Sequence, residues 1–385
     1  DSNDGGGAAS DEGGAAASDE DGATDAPAPT GPLRRGWTTG ACAAAAAKAA
    51  FAALMSGTFP DPVTVRLPKG LAPSFVLARK TLGANRAEAS VVKDAGDDPD
   101  VTHGAEIVAS VTPAALGSGI AFRAGPGVGT VTRAGLPVPP GEPAINPGPR
   151  RMIAENIQDS AGEIGCAADA TVEISIPGGE AIAKRTLNAR LGIVGGLSIL
   201  GSSGVVIPYS CSAWIASIHQ GIDVARAAGL VHIAAATGRS SEDAARKLFD
   251  LPEIALIDMG DFAGGLFKYL RRHPVPRLTL AGGPGKLAKL GQGHLDLHSS
   301  RSRLDLAGLA RTARGAGADE ATVARIASAA GGGEALASAG DFAPKLAQAI
   351  ATEARAAAAR TLGLGIAVSA CVFDRAGTLI GRADG

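Results

Sequence analysis

Residues 230–259 read LVHIAAATGRSSEDAARKLFDLPEIALIDM: an apolar run, a charged segment of helical length, and a second apolar run. The runs LVHIAAAT (230–237) and IALIDM (254–259) are too continuously apolar for strands with one wet face. Strands buried on both faces read this way, and a helix between two of them makes a crossover unit. LGIVGG (191–196), RLTLAGG (277–283) and GIAVSACVF (365–373) repeat the theme between helical segments. Together they predict a parallel sheet covered on both faces, a Rossmann-like α/β domain over 188–385. Ligands of such sheets bind at the carboxyl ends of the strands, where the glycine-rich turns sit.

Upstream the rhythm differs. VTVRLP (63–68), SFVLARKTL (74–82), AEASVVKD (87–94), AEIVASVTP (105–113) and TVEISIP (171–177) alternate with period two between Gly, Pro and Asp. That pattern predicts antiparallel strands, hence an α+β domain over 31–187 and an α/β plus α+β class for the chain. It opens with LRRGWTTGACAAAAAKAA (33–50), a polar turn before a helix made almost wholly of alanine. Residues 1–30 carry eight acids and no base, and GGGAASDE is echoed by GGAAASDE. We expect a disordered acidic tail there.

Without that segment the net charge of −2 becomes +6, which suits an anionic small molecule. No Lys/Arg block exceeds two residues and only 3% of residues are aromatic, which argues against a nucleic-acid partner. Cys42, Cys166, Cys211 and Cys371 stand far apart with no C-x-x-C pair, so a zinc ribbon or redox motif is excluded. A disulfide framework is not expected in so large a chain, and reduced thiols in the cytoplasm are expected. Leu191 to Ile222 lacks charge, but its glycines and Pro208 break any membrane helix. No apolar leader is visible, and no membrane partner is expected.

Several motifs carry possible chemistry. The loop LGIVGGLSILGSSGV (191–205) has the glycines for close backbone approach, but its spacing is neither a dinucleotide nor a Walker signature. LTLAGGPGKLAKL (278–290) resembles a phosphate loop without the Ser/Thr that would hold magnesium, which leaves a helix N-terminus able to receive a carboxylate. GHLDLHSSRSR (293–303) offers His294 and His298 on one face, helical or extended, with Arg301 beside them. Solvated loop histidines read the same way, and no metal site is expected. Asp258 and Asp261 end an apolar run, where an acid can accept from ribose hydroxyls or cap the next helix.

LRRGWTTGACAAAAAKAA, GPGVGTVTRAGLPVPPGEPAINPGPRRMI, TLNARLGIVGGLSILGSSGVVIPYS, DMGDFAGGLFKYL and GHLDLHSSRS together resemble the CbiD family, in order, from residue 33 onward. The resemblance implies a cobalt-precorrin-5B C(1)-methyltransferase of cobalamin biosynthesis. Such an enzyme takes S-adenosyl-L-methionine as methyl donor and an anionic tetrapyrrole as substrate, with cobalt present only as part of that substrate. Direct transfer to carbon needs no nucleophile–base pair, and none is seen. On this reading His294 and His298 are candidate bases. Arg34, Arg35, Thr38, Thr39, Gly40, Asn146, Arg150, Arg151 and Arg301 are assigned to the substrate. In particular, Thr38 and Thr39 cap the alanine helix and leave N–H groups facing outward for carboxylates. Gly192, Gly195, Gly196, Gly201, Ser202, Asp258, Asp261, Gly282 and Gly283 are assigned by position to the cofactor. A homo-oligomer is compatible with all of this. Two rivals use the same sequence features: a nicotinamide-dependent tetrapyrrole oxidoreductase, which lacks its fingerprint, and a non-catalytic tetrapyrrole carrier.

Overall fold

The computed structural model describes residues 31–363 and 365–385. The expected acidic tail, 1–30, lies outside the described residues. Among the described residues the fold is mixed α/β, with two five-stranded sheets and smaller two-stranded pairings.

In the first half the strands Arg79–Leu82, Ala87–Val92, Glu106–Pro113, Ala170–Ser175 and Ile120–Ala124 lie side by side in that order. All neighbours are antiparallel except the last pair, which is parallel. The period-two alternation does its work here: Ala87, Ala89 and Val91, Ile107, Ala109 and Val111, and Ala170, Val172 and Ile174 all point to one buried face. The alanine helix, Thr39–Ser56, lies against that face, with helix Pro147–Ile164 packed on its other side. A helix buried on every side has no polar stripe to offer. Alanine gives it the narrow cylinder that fits between a sheet and a second helix, and bulk comes only towards its C-terminal end, from buried Phe51 and half-buried Leu54 and Met55. Among the described residues this is also the one helix long and apolar enough to cross a membrane, and it is enclosed by the fold instead. The run 74–82 is split, since Ser74–Phe75 pairs with Val63–Thr64 and only Arg79–Leu82 joins the larger sheet.

The second sheet has the order Leu256–Asp258, His232–Ala236, Arg277–Gly282, Ala367–Phe373, Leu379–Ala383. The first four strands are parallel and the edge strand Leu379–Ala383 is antiparallel. Ala234, Ala236, Ala281 and Cys371 face Ala245 of helix Arg239–Phe249. Ile233, Ala235, Leu278 and Leu280 face the opposite way, into the larger core built with helices Cys211–Ala227, Ala263–Leu270, Pro284–Gly291 and Ala343–Leu362. The chain first steps from His232–Ala236 to one side, then crosses to Arg277–Gly282 on the other. That reversal of strand order is a topological switch point, the place where sheets of this kind form a crevice above the carboxyl ends of their strands.

One expectation is corrected. LGIVGG is not a strand of the parallel sheet. Ile193–Val194 and Gly196–Leu197 pair with Thr130–Val131 and Gly127–Val128, and Val205–Val206 pairs with Gly36–Trp37. The reason is backbone proximity: a Cβ on Gly196 would stand 2.2 Å from the Gly127 carbonyl oxygen. These glycines let two chain segments touch, which the local pattern cannot distinguish from room for a ligand.

Candidate functional site

The crevice is built from three strand-to-helix turns. After His232–Ala236 come buried Thr237 and then Gly238, which caps helix Arg239–Phe249. The first bond of that helix runs from the Glu242 N–H to the Gly238 carbonyl, so the N–H groups of Arg239, Ser240 and Ser241 have no acceptor within the helix. After Arg277–Gly282 comes Gly283, with open space where its Cβ would be, and Pro284 starts the next helix. Gly282 presses on Thr237: a Cβ there would lie 2.7 Å from Thr237 Oγ1. Lys286, one turn into that helix, reaches back across the crevice and donates to the Thr237 carbonyl at 3.0 Å. It also stands 3.4 Å from Asp261 Oδ1.

The acids hang from the third turn. Asp258 ends Leu256–Asp258, and burial pushes its carboxyl above the ordinary range. The Glu242 carboxylate adds to the upward shift, while Arg190, the Gly260 N–H and Lys286 oppose it. Arg190 is committed elsewhere, forked onto Glu242 at 2.6 and 2.9 Å. Asp261 Oδ1 is buried and accepts no hydrogen bond, its contact with Lys286 being an ion pair without bonding geometry. A buried acceptor left unpaired is costly unless something supplies a donor. Asp261 does not cap the following helix, whose cap position is Phe262.

Asp258, Asp261, Gly282 and Gly283 are thus brought together. Gly192, Gly195, Gly196, Gly201 and Ser202 are not, because they belong to the segment threaded through the first half. A Cβ on Gly192 would meet the Arg133 side chain, and one on Gly201 would meet Thr38. Ser202 packs against Gly148, and Gly195 alone faces open space with φ +90°.

The Thr-Thr-Gly turn is closed rather than open. Thr38 is the cap, its hydroxyl accepting from the Ala41 N–H at 3.2 Å. Thr39 is buried, and its hydroxyl accepts from the Leu200 N–H at 2.9 Å. The Gly40 N–H, expected to face outward, donates to the Leu200 carbonyl at 2.9 Å. Gly40 itself is a contact point, with a Cβ there 2.8 Å from both Leu200 O and Pro149 Cγ. Arg34 is paired with Asp94, while Arg35 is exposed beside it.

Helix Pro147–Ile164 follows Asn146, which makes no side-chain cap. Prolines at 147 and 149 remove two of the N–H groups a helix start usually offers, which weakens it as a carboxylate site. Arg150 is a strap, donating to Ile145 O at 2.7 Å, to Pro143 O and Glu142 at 3.1 Å, and lying over Phe122. Arg151 is exposed.

His294 and His298 do not share a face, since the loop between them is irregular. His294 lines a cleft of about 1170 Å³ with Arg311, Lys345 and Glu353 on the outer helices. His298 lies towards the crevice, one residue after Leu297, whose N–H is bound by the Asp261 carbonyl. Arg301 holds Asp296 at 3.0 Å and Cys211 Sγ at 3.2 Å. Among the described residues no group of His, Cys, Asp and Glu is arranged to hold a metal ion.

Thr237, Gly238, Arg239 and Ser240 stand at the same strand ends and were not among the sequence candidates. Their signal was present: a Thr-Gly pair between an apolar run and a helix, with Asp258 twenty residues after Gly238, the interval at which an acid meets a ribose in nucleotide-binding sheets.

The family model described as CbiD matches residues 27–208, and the one described as CbiD, C-terminal domain, matches 296–384. A cobalt-precorrin-5B C(1)-methyltransferase of Brucella anthropi is 58% identical over 351 residues, 91% of this chain and 95% of the relative. Its namesake from Paramagnetospirillum magneticum is 58% identical over 352 residues, 91% of this chain and 98% of the relative. A 1.9 Å crystal structure of a cobalamin biosynthesis protein (cbiD) from Archaeoglobus fulgidus is 32% identical, covering 71% of this chain and 84% of that one, with a TM-score of 0.39.

Proposed function

This chain belongs to the CbiD family, and on that premise we propose that it transfers a methyl group from S-adenosylmethionine to C-1 of cobalt-precorrin-5B, giving cobalt-precorrin-6A in corrin synthesis. The observation that carries the reading is the 58% identity over nearly the full length of relatives bearing that activity in their names. The finer assignments are ours. We take the parallel half as a Rossmann-like cofactor domain and the crevice at its strand ends as the place of the methyl donor.

The residues there fit that donor. The Asp258 carboxylate at the end of its strand suits the ribose hydroxyls as acceptor. The N–H groups of Arg239, Ser240 and Ser241, with the adjacent Arg239 side chain, suit the amino-acid carboxylate. Asp261 Oδ1, buried and without a donor, suits the amino group. Gly283 leaves open space for close approach. Bound there, S-adenosylmethionine supplies a methyl group already activated by its sulfonium. The chain then aligns and dries the reaction: Lys286 ties the Thr237 turn to Asp261, and this fixes the crevice walls. His298 is the base we assign to any proton the macrocycle releases. Its Nδ1 is held by Ser300 Oγ at 2.8 Å.

The test is the purified chain with cobalt-precorrin-5B and S-adenosylmethionine labelled in its methyl group, read by mass spectrometry. One labelled methyl on the tetrapyrrole is expected. Tetrapyrrole bound but recovered unmethylated would return the carrier reading, and reduction driven by a nicotinamide would return the oxidoreductase.

A further inference from the structure

The chain contains two tryptophans and two tyrosines. Trp37 packs edge-on against Phe75, and Tyr269 is stacked between His219 and His273. The other two are exposed, Tyr209 at 50% and Trp214 at 42%, the latter with Phe262 at 6.2 Å on one side, and they lie five residues apart in one short stretch. Ile207, exposed at 55%, precedes them. Single exposed apolar residues need no explanation, but the two exposed Trp/Tyr side chains of an aromatic-poor chain falling in one short segment do.

The backbone there is also unusual. Tyr209 has φ +56°, a region that a bulky residue avoids. It is kept there by its N–H, which donates to Asp98 Oδ1 at 2.8 Å, and the turn directs the ring to solvent instead of the core. Strain of this kind persists where surrounding structure enforces it, and it clusters at ligand sites.

Position gives the segment its partner. Trp214 Nε1 donates to the Asp258 carbonyl at 3.1 Å, so the aromatic stretch ends at the strand terminus assigned to the methyl donor. Cations border it. Arg301 holds Cys211, the first residue of the helix that carries Trp214, and Arg35 precedes Gly36, which is paired with Val206. Two exposed aromatic side chains offer a π-face, and Arg35 and Arg301 nearby, the latter shared with Asp296, offer cations to a macrocycle with peripheral carboxylates. The Asp98 carboxylate is taken up by the Tyr209 N–H.

We propose that residues 207–214 form the platform on which one face of the anionic tetrapyrrole stacks, with Tyr209 and Trp214 under the ring and Arg35 and Arg301 at its carboxylates. This rests on the methyltransferase reading for the identity of the substrate. Substrate and donor then meet across Trp214, the residue that touches both the platform and the Asp258 turn.

The experiment uses the full chain and two probes measured by calorimetry: uroporphyrin III, a planar octacarboxylate tetrapyrrole, and S-adenosylhomocysteine. Tyr209→Gly removes the ring and relieves the positive φ. Uroporphyrin affinity should fall tenfold or more while thermal stability stays level or rises, a combination that a merely structural tyrosine would not produce. Tyr209→Phe should bind uroporphyrin within about twofold of wild type. S-Adenosylhomocysteine affinity should be unchanged in both. Wild-type protein that ignores uroporphyrin, or Tyr209→Gly that binds it as tightly, overturns the platform. Wild-type protein that binds uroporphyrin through Tyr209 but does not bind S-adenosylhomocysteine supports the platform and overturns the donor assignment instead.

Discussion

Replacing Thr39 by valine keeps the side-chain shape and deletes one hydroxyl. Its oxygen is the acceptor for the Leu200 N–H at 2.9 Å, in a place where Thr39 is 5% exposed. The Leu200 carbonyl loses little, because its contact with the Thr39 hydroxyl is 3.4 Å and it still receives the Gly40 N–H at 2.9 Å. The cost is therefore one orphaned donor, about 1–3 kcal/mol. With a urea slope of ~2 kcal/mol/M this moves the midpoint down by roughly 0.5–1.5 M without changing the slope. The assay is urea unfolding in a Trp214→Phe background, so that Trp37, packed on Phe75 in the same half, is the sole tryptophan reporter. Thr39→Ser, which retains the acceptor, should recover most of the loss. Methyl transfer per folded molecule should be unaffected by Thr39→Val. Unchanged stability would refute the reasoning, because it would mean that Leu200 finds another partner. Turnover falling further than the folded fraction would return the hydroxyl to the substrate.

Gly196→Ala should misfold or destabilise the first half severely, since its Cβ would meet Gly127 backbone that cannot move aside. Gly195→Ala, in open space, should cost only about 1 kcal/mol for its positive φ, and thermal melts will separate the two. Asp258→Asn should weaken S-adenosylhomocysteine binding in calorimetry. It should also change the pH profile of stability: because the folded carboxyl is raised above 3.8, the native state holds its proton longer than the unfolded chain, so this group's contribution falls as pH rises from 3.8 through the raised value. The variant should lack that decline and be more stable at pH 7, and melts across the range check it. Arg150→Gln should lower the melting temperature by loosening residues 142–145, whereas Arg151→Gln should leave it unchanged.

Local pattern was sufficient wherever one element's burial decided its identity. Ala87–Val92 and Glu106–Pro113 alternate because one face packs on the alanine helix while the other carries mostly hydrogen-bonded polar side chains such as Glu88, Ser90, Glu106 and Ser110. His232–Ala236 and Arg277–Gly282 are largely apolar because both faces are packed. Both halves of the fold were legible for that reason. The placing of Asp258, Asp261, Gly282 and Gly283 beside one another was legible too, since residues at the ends of buried strands of a parallel sheet come together by topology alone.

Tertiary structure decided the remainder, and glycine is the clearest case. A glycine needed because another backbone passes within contact, as Gly196 meets Gly127, carries the same local signature as one that admits a ligand. Only the partner segment, here 69 residues away, tells them apart. The Thr-Thr-Gly turn failed for the same cause: its N–H groups are free until Leu200, 161 residues from Thr39, is brought to them. His294 and His298 separated because the loop between them is irregular, a path set by the Asp261 and Lys289 contacts rather than by any period. Tyr209 was invisible as a site because its significance lies in a backbone angle enforced by Asp98. Sequence by itself determined which strands are buried and hence which ends could hold a ligand, since burial of a strand is written in its own side chains. Closeness between distant segments is written in neither segment alone, and only folding decided it.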